Sequence, residues 1–514
     1  MRTTITRITA VIVFILAAAI ILTSCSANGG NNNNGQNANQ TNGGGSNINT
    51  GDNPSETTEA LLTPESIFAG IDMQKYGGRQ FNLIARETMI TDFYSEAENG
   101  DVINDAVFKR NQMVEDTFDV KINVINNTGT DWGKQESTIK KSVMAGDGAY
   151  DLTDNYAAFV GNLVSNRIYL NLLDIPHLRL TEAWWSQHAV DELTVNGKLY
   201  DVPGDLSLNL WESTMTVFFS KGLLQSFNLE DPYGLVRNGQ WTLDKLIEMS
   251  KGVSADLNGD GKMDNQDRYG TFIYDDLAFN NFHNAFNIPT TLKNANGIPY
   301  FNLESPEVLD LAERMYNLAT STDGVTYGNK NEYFKKLYTP PDYPVVAESL
   351  NMFVNNQILF YPSILGDAEK LRSMETDFGI LPYPKKTAEQ EQYKTCSRDQ
   401  HTMFAIPTDV KDPDFAGLIT EALCVASNKI VVPTYYDVAL KSKFTRDDES
   451  GEMLDIIRKG LNFDFGIEYS AQISSAGWVI RTCVNQNSFN FASSLEKSMS
   501  SYNKALDKFL TKLE

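Results

Sequence analysis

The segment Asp256-Leu257-Asn258-Gly259-Asp260-Gly261-Lys262-Met263-Asp264-Asn265-Gln266-Asp267 has oxygen-bearing side chains at loop positions 1, 3, 5, 9 and 12, with glycine at position 6. A hard divalent cation seeks roughly six to eight oxygens, and this spacing can wrap carboxylates and one backbone carbonyl around it. Calcium is the ion that fits. Asp256, Asn258, Asp260, Asp264 and Asp267 would supply side chains, with Asp264 acting through water, and Lys262 would supply its carbonyl. Position 12 is Asp267 rather than the longer Glu of a sensor loop, and no second loop follows for pairing. The expected ion is therefore structural.

Catalytic patterns are sparse. There is no GxSxG, HExxH or GxxxxGK[ST], and His177, His188, His283 and His401 are scattered without metal-ligand spacing. A carboxylate pair for glycoside cleavage stays open, because such pairs form in space and the chain holds 66 Asp and Glu. The net charge of −23 argues against nucleic-acid backbones and against docking on anionic lipid.

The chain begins with Arg2 and Arg7, an apolar run over 10–22, and then Leu22-Thr23-Ser24-Cys25. That run falls short of the roughly 20 residues of a membrane span and reads as a secretory signal peptide, 1–24. Leu22-Thr23-Ser24-Cys25 resembles a bacterial lipobox, which makes Cys25 the lipidated first residue of the mature protein. Residues 28–53 are almost entirely Asn, Gly, Gln, Ser and Thr. They cannot bury apolar surface and have a reach on the order of 25–30 Å, so 25–75 is expected to be a disordered tether. After lipidation Cys396, Cys424 and Cys483 remain, with no CxxC or zinc spacing, and are expected to be buried free thiols.

The elements behind these residues alternate. Phe81, Leu83 and Ala85 predict a strand; Ile103, Val107, Val114 and Phe118 a helix; Val120, Ile122 and Val124 a second strand. A β-α-β order predicts parallel sheet. A helix from about 134, with Ile139 and Val143 on one face, leads to a short strand at Tyr150-Asp151-Leu152. Ser305-Pro306 and Asp412-Pro413 open further helices, because an oxygen-bearing cap precedes a proline whose missing N–H costs nothing there. Leu495, Met499, Tyr502, Leu506, Phe509 and Leu513 form the core stripe of a last helix.

Several segments are similar to extracellular solute-binding lipoproteins of bacterial ABC importers, in the family-1 group that takes up sugars and oligosaccharides. They are Met144-Ala145-Gly146-Asp147-Gly148-Ala149-Tyr150-Asp151-Leu152, Gly197-Lys198-Leu199-Tyr200-Asp201-Val202-Pro203-Gly204-Asp205 and Trp241-Thr242-Leu243-Asp244. Phe378-Gly379-Ile380-Leu381-Pro382-Tyr383-Pro384-Lys385 and Val432-Pro433-Thr434-Tyr435-Tyr436-Asp437 complete the set. The resemblance covers most of the mature body. It implies an α/β, two-lobed periplasmic-binding-protein-like fold of type II, with chain crossings near 206–219, 382–406 and 428–434. Lobe 1 would be 76–210 plus 395–430, and lobe 2 would be 211–394 plus 431–514, including the calcium loop 256–267.

Sugar sites combine flat aromatics with amides and carboxylates. Trp132, Tyr156, Trp184, Trp185, Trp211, Tyr435 and Trp478 are candidate aromatics, with Trp211 and Tyr435 favoured by their place at crossings. Asp154, Asn155 and Asp205 are candidates because they follow predicted strand ends, where α/β sheets bind ligands. Trp241 is assigned to helix packing. The resemblance implies a monomeric, non-enzymatic binder that captures a carbohydrate by lobe closure and delivers it to ABC permease subunits. Open alternatives are a lipid-anchored carbohydrate-active hydrolase or lyase, and the same fold holding a peptide or other small solute.

Overall fold

The computed structural model describes residues 62–129, 132–340, 343–444 and 448–514. Cys25, the signal peptide and residues 25–61 of the tether lie outside the described residues. The sequence extends the tether to residue 75, and here the structure differs. Residues 64–67 form a capped helical turn, and Ile67 and Phe68 are buried, Phe68 edge-on to Phe118 at 5.1 Å. Two apolar side chains within a polar stretch are enough to bring this segment into the core.

The strands, in chain order, are β1 (Arg79–Arg86), β2 (Val120–Asn127), β3 (Leu152–Tyr156), β4 (Met215–Ser220), β5 (Tyr269–Ile273) and β6 (Thr291–Lys293). They continue with β7 (Pro299–Phe301), β8 (Val325–Tyr327), β9 (Ile358–Ile364), β10 (Phe378–Leu381) and β11 (Thr402–Ala405). One sheet has the order β11-β3-β1-β2, a second β10-β4-β9-β5-β8, and β6-β7 form a small hairpin. β1 runs parallel to both β2 and β3, as the β-α-β pattern predicts, while β11 is antiparallel to β3. In the second sheet β9-β5-β8 are parallel and β10-β4-β9 antiparallel. The chain leaves the first sheet after β3, enters the second at β4, and returns between β10 and β11.

Helix positions follow from caps and apolar spacing. α1 (Val102–Phe118) starts where the Asp101 carboxylate accepts the N–H of Ile103 and Asn104, and ends where Asp119 turns left-handed at φ 50°. Its Val107, Val114 and Phe118 are fully buried, each contributing roughly 1.5–3 kcal/mol over exposure. α2 (Trp132–Ala145) buries Ile139 and Val143. α3 (Ala157–Ser165) follows β3 without a break, and α4 (Leu243–Ser250) leads into the acidic loop. α5 (Pro306–Ala319) and α6 (Pro413–Ala426) are capped by Ser305 and Asp412, whose side chains accept from Val308 N and Phe415 N. α7 (Val479–Asn485) and α8 (Phe491–Leu513) close the chain, with Leu495, Leu506, Phe509 and Leu513 of α8 buried.

Every described residue of α6 from Phe415 onward is buried, and the helix runs on in wide i→i+5 turns over Ser427–Val431 and Thr434–Phe444. The third expected crossing, 428–434, falls within this helical continuation. Residues 413–441 are long and apolar enough to cross a membrane by composition, but they are the core helix of this body. Cys424 and Cys483 are buried free thiols and Cys396 is half-buried. Burial pushes the Cys483 thiol up to about 12.

Candidate functional site: a cleft between the two sheets

The walls of one cavity, about 490 Å3, come from both sheets. From the first sheet, β3 ends at Tyr156, and Ala158 and Phe159 of α3 continue its wall. The turn carrying Arg398, Asp399 and Gln400 is fastened to them: Ala158 N donates to Asp399 O at 2.9 Å and Ala157 N to His401 O at 3.1 Å. From the second sheet, Tyr274, Asp275 and Asp276 follow β5 directly, and Tyr327 ends β8. Trp478 and Arg481, at the start of α7, complete the wall. Trp478 can sit there because Gly477 lies against Gly466, where an added Cβ would meet the Gly466 carbonyl at 1.8 Å. The C-terminal strand edges of both sheets thus face one space, the geometry in which open α/β sheets hold ligands.

The chemistry of the walls is aromatic and charged. Tyr156, Phe159, Tyr274, Tyr327, Tyr338 and Trp478 present rings. Burial raises the Tyr156 and Tyr274 phenols to about 12, so both remain neutral donors. Arg398 forms an ion pair with Asp275. The Arg481 guanidinium lies 5.0 Å from the Trp478 ring centroid and reaches Asp276 at 3.1 Å and Asp399 at 3.6 Å. Burial raises the Asp399 and Asp276 carboxyls, and Arg481 opposes the rise in both. Arg481 therefore links the second-sheet edge to the turn that precedes β11. Larger hollows of about 900 Å3 beside Leu62, Met73 and Ile430, and about 970 Å3 beside the acidic loop, are more open and do not join the two sheets.

Of the ten ligand candidates expected from sequence, Trp478 and Tyr156 line this cavity. Trp184, Trp185, Trp211, Tyr435, Asp154, Asn155 and Asp205 do not. Trp211 is buried, donates Nε1–H to Asp205 at 3.0 Å, meets Tyr436 edge-on at 5.7 Å and lies under Arg458. Asp205 also accepts from Asn428 at 2.7 Å, and burial raises it to about 6. Tyr435 is buried beside Tyr436 in the wide-turn helix, a place fixed by the helical form of the third crossing. Trp185 and Trp184 both donate to the buried Glu421 carboxylate at 2.9 Å. Asp154 and Asn155 lie inside β3, not beyond it, since the strand begins and ends later than Tyr150-Asp151-Leu152 predicts. Asp154 pairs with Arg86 at 2.7 Å, and the Asn155 amide spans Thr153 and Met403. Trp241 donates to Pro382 O at 2.9 Å in the core. The Trp132 side chain lies outside the described residues.

The sequence reading missed Tyr274, Asp275, Asp276, Tyr327, Tyr338, Arg398, Asp399 and Arg481. A signal for the first three was present: Arg268-Tyr269-Gly270-Thr271-Phe272-Ile273-Tyr274 reads as turn and strand, so the residues after it sit at a strand end. The pairing of Arg481 with Asp399 has no local signature.

The acidic loop has the backbone path its spacing predicts. Gly259, with φ 74°, donates to the Asp256 carboxylate at 2.7 Å, and Gly261 donates to the same carboxylate at 2.8 Å. Asn258 and Asp260 each accept the N–H two residues on. Asp267 is fully buried and draws the loop ends together, accepting from Leu257 N at 2.9 Å and Asp264 N at 2.8 Å. The oxygen donor types and the turn fit calcium. Among the described residues, however, no three His, Cys, Asp or Glu side chains are gathered closely enough to hold a metal ion. The loop's carboxylates accept backbone N–H groups and keep further lone pairs.

No protein-family model matches the chain, and no curated protein sequence matches it. Solved structures do. An ABC substrate-binding protein of Listeria monocytogenes in complex with cycloalternan is 13% identical, with 84% of this chain and 99% of that chain covered and a TM-score of 0.52. M. tuberculosis UspC is 13% identical over 83% and 100% of the two chains, TM-score 0.54. A cyclo/maltodextrin-binding protein complexed with maltotetraose is 12% identical over 85% and 97%, TM-score 0.51. At this identity the likeness is one of fold. The chain shares with these proteins a two-lobed, mixed α/β fold.

Proposed function

We propose that this protein is a non-enzymatic solute-binding protein that captures a carbohydrate, an oligosaccharide, between its lobes and delivers it to an ABC importer. The observation that carries the reading is the cavity whose aromatic and charged walls come from both sheets. Rings can stack on the apolar C–H faces of a sugar, while carboxylates, amides and phenols hydrogen-bond its hydroxyls. A ligand touching Tyr156 on one side and Tyr274 or Trp478 on the other favours the closed arrangement through contacts made to both lobes at once. The complexes named among the solved structures, with cycloalternan and with maltotetraose, support a saccharide over a peptide.

The same reading places the protein at the extracellular face of the membrane, held by lipid on Cys25, as a monomer serving permease subunits. It also gives the 256–267 loop a structural calcium ion held by Asp256, Asn258, Asp260, Lys262, Asp264 and Asp267.

Purified protein incubated with an oligosaccharide panel tests the function. Calorimetry should show saturable binding, with the saccharide recovered intact. Release of new reducing ends would instead identify a hydrolase or lyase.

A further inference from the structure

Among the described residues, the cavity wall contains three carboxylates, Asp275, Asp276 and Asp399, and two guanidinium groups, Arg398 and Arg481, with no lysine. Both guanidinium groups are already ion-paired, although the buried Arg398 Nε–H has no hydrogen-bond partner. Arg398 is paired with Asp275, and Arg481 is shared between Asp276 at 3.1 Å and Asp399 at 3.6 Å while covering one face of Trp478. With every group ionised the wall is net negative by one charge.

We infer that this cleft selects uncharged saccharides and rejects anionic ones, such as uronates, and that Asp276 and Asp399 set the preference. The inference rests on the carbohydrate reading and adds the substrate's charge class to it. An anionic sugar needs a free, planar donor fork, for which arginine is the best side chain. To obtain one here it must compete for Arg481 with its two aspartates or for Arg398 with Asp275. Either exchange sets a second anion beside a cleft carboxylate in a partly desolvated space, where like charges repel strongly. A neutral sugar faces no such exchange: it can donate its hydroxyl protons to the free lone pairs of the same carboxylates and leave the ion pairs in place. Specificity then comes from what is excluded as much as from what is held.

The test is calorimetry at low salt on the full-length protein with tetrasaccharides of two kinds. The neutral set is maltotetraose, cellotetraose, xylotetraose and mannotetraose, and the anionic set is tetragalacturonate and tetramannuronate. The expected result is at least one neutral ligand bound about 100-fold more tightly than either uronate. Asp399→Asn, which frees one arm of Arg481, should narrow that gap roughly tenfold, and Asp276→Asn should move it in the same direction. A uronate bound by the wild type as tightly as the best neutral sugar overturns the preference while leaving the carbohydrate function standing. Equal selectivity in wild type and both variants overturns the assignment to these aspartates. Binding of neither set would remove the function and the preference together.

Discussion

Two tryptophans in this chain have nearly the same neighbours and opposite surroundings. Trp211, after β3 and before β4, lies under Arg458 at 5.2 Å; Trp478, at the start of α7, lies under Arg481 at 5.0 Å. The Trp211 indole N–H goes to Asp205, and Asp205 also takes the Asn428 amide, although the neighbouring Tyr436 hydroxyl is buried without a hydrogen-bond partner. Around Trp478 the indole N–H is buried without a hydrogen-bond partner, and the ring is part of a cavity wall shared by both sheets. The first is a sealed joint between the crossings. The second is a surface with unused capacity. Residue type alone does not separate them; the presence or absence of a partner for the indole N–H does.

The largest test of that contrast is truncation at the joint. Trp211→Ala should lower unfolding stability by about 3–5 kcal/mol, read by chemical denaturation, because it opens a cavity and strands Asp205. The same variant, where still folded, should keep its ligand affinity. A large affinity loss without destabilisation would move Trp211 into the cleft.

The acid at the joint gives the next effect. The Asp205 carboxyl is raised by burial to about 6 in the folded protein from 3.8, so its proton is held more tightly folded than unfolded. Stability from this group is full below about pH 4, falls as pH rises toward 6, and stays lost above it. Asp205→Asn should flatten the stability profile over that window, by on the order of 2 kcal/mol, with the Asn428 amide turned over to match. An unchanged profile would show that the carboxylate is not penalised there.

At the cleft, Trp478→Ala should weaken saccharide binding by about 1–2 kcal/mol while shifting the melting temperature little. Chelation of calcium should lower thermal stability and leave ligand affinity unchanged at a temperature where the protein is folded, because the acidic loop is not among the residues lining the cleft. No change on chelation would mean that the loop folds on its backbone hydrogen bonds alone, in keeping with carboxylates that are already engaged.

The fold was legible where its determinants are local. Caps at Ser305 and Asp412, the stripe along α8 and the alternation in β1 and β2 are each written within a few residues, and each element lies where that pattern predicts. The site was legible only in Trp478 and Tyr156. A strand end four residues later at β3 turned Asp154 and Asn155 from edge residues into strand interior. Tyr435 was expected at a crossing, and it is buried in the wide-turn helix that continues from α6. The charged half of the cleft joins Asp275, Asp399 and Arg481, which are distant in sequence and meet only once both sheets have formed.

The central claim is that a saccharide sits between the sheets, not at the joint. Hydrogen–deuterium exchange with and without a calorimetrically identified oligosaccharide tests it most directly. Protection is expected at 156–159, 274–276, 398–400 and 478–481, with 205–211 and 428–436 unchanged. Protection confined to the joint, or to one sheet edge alone, would contradict it.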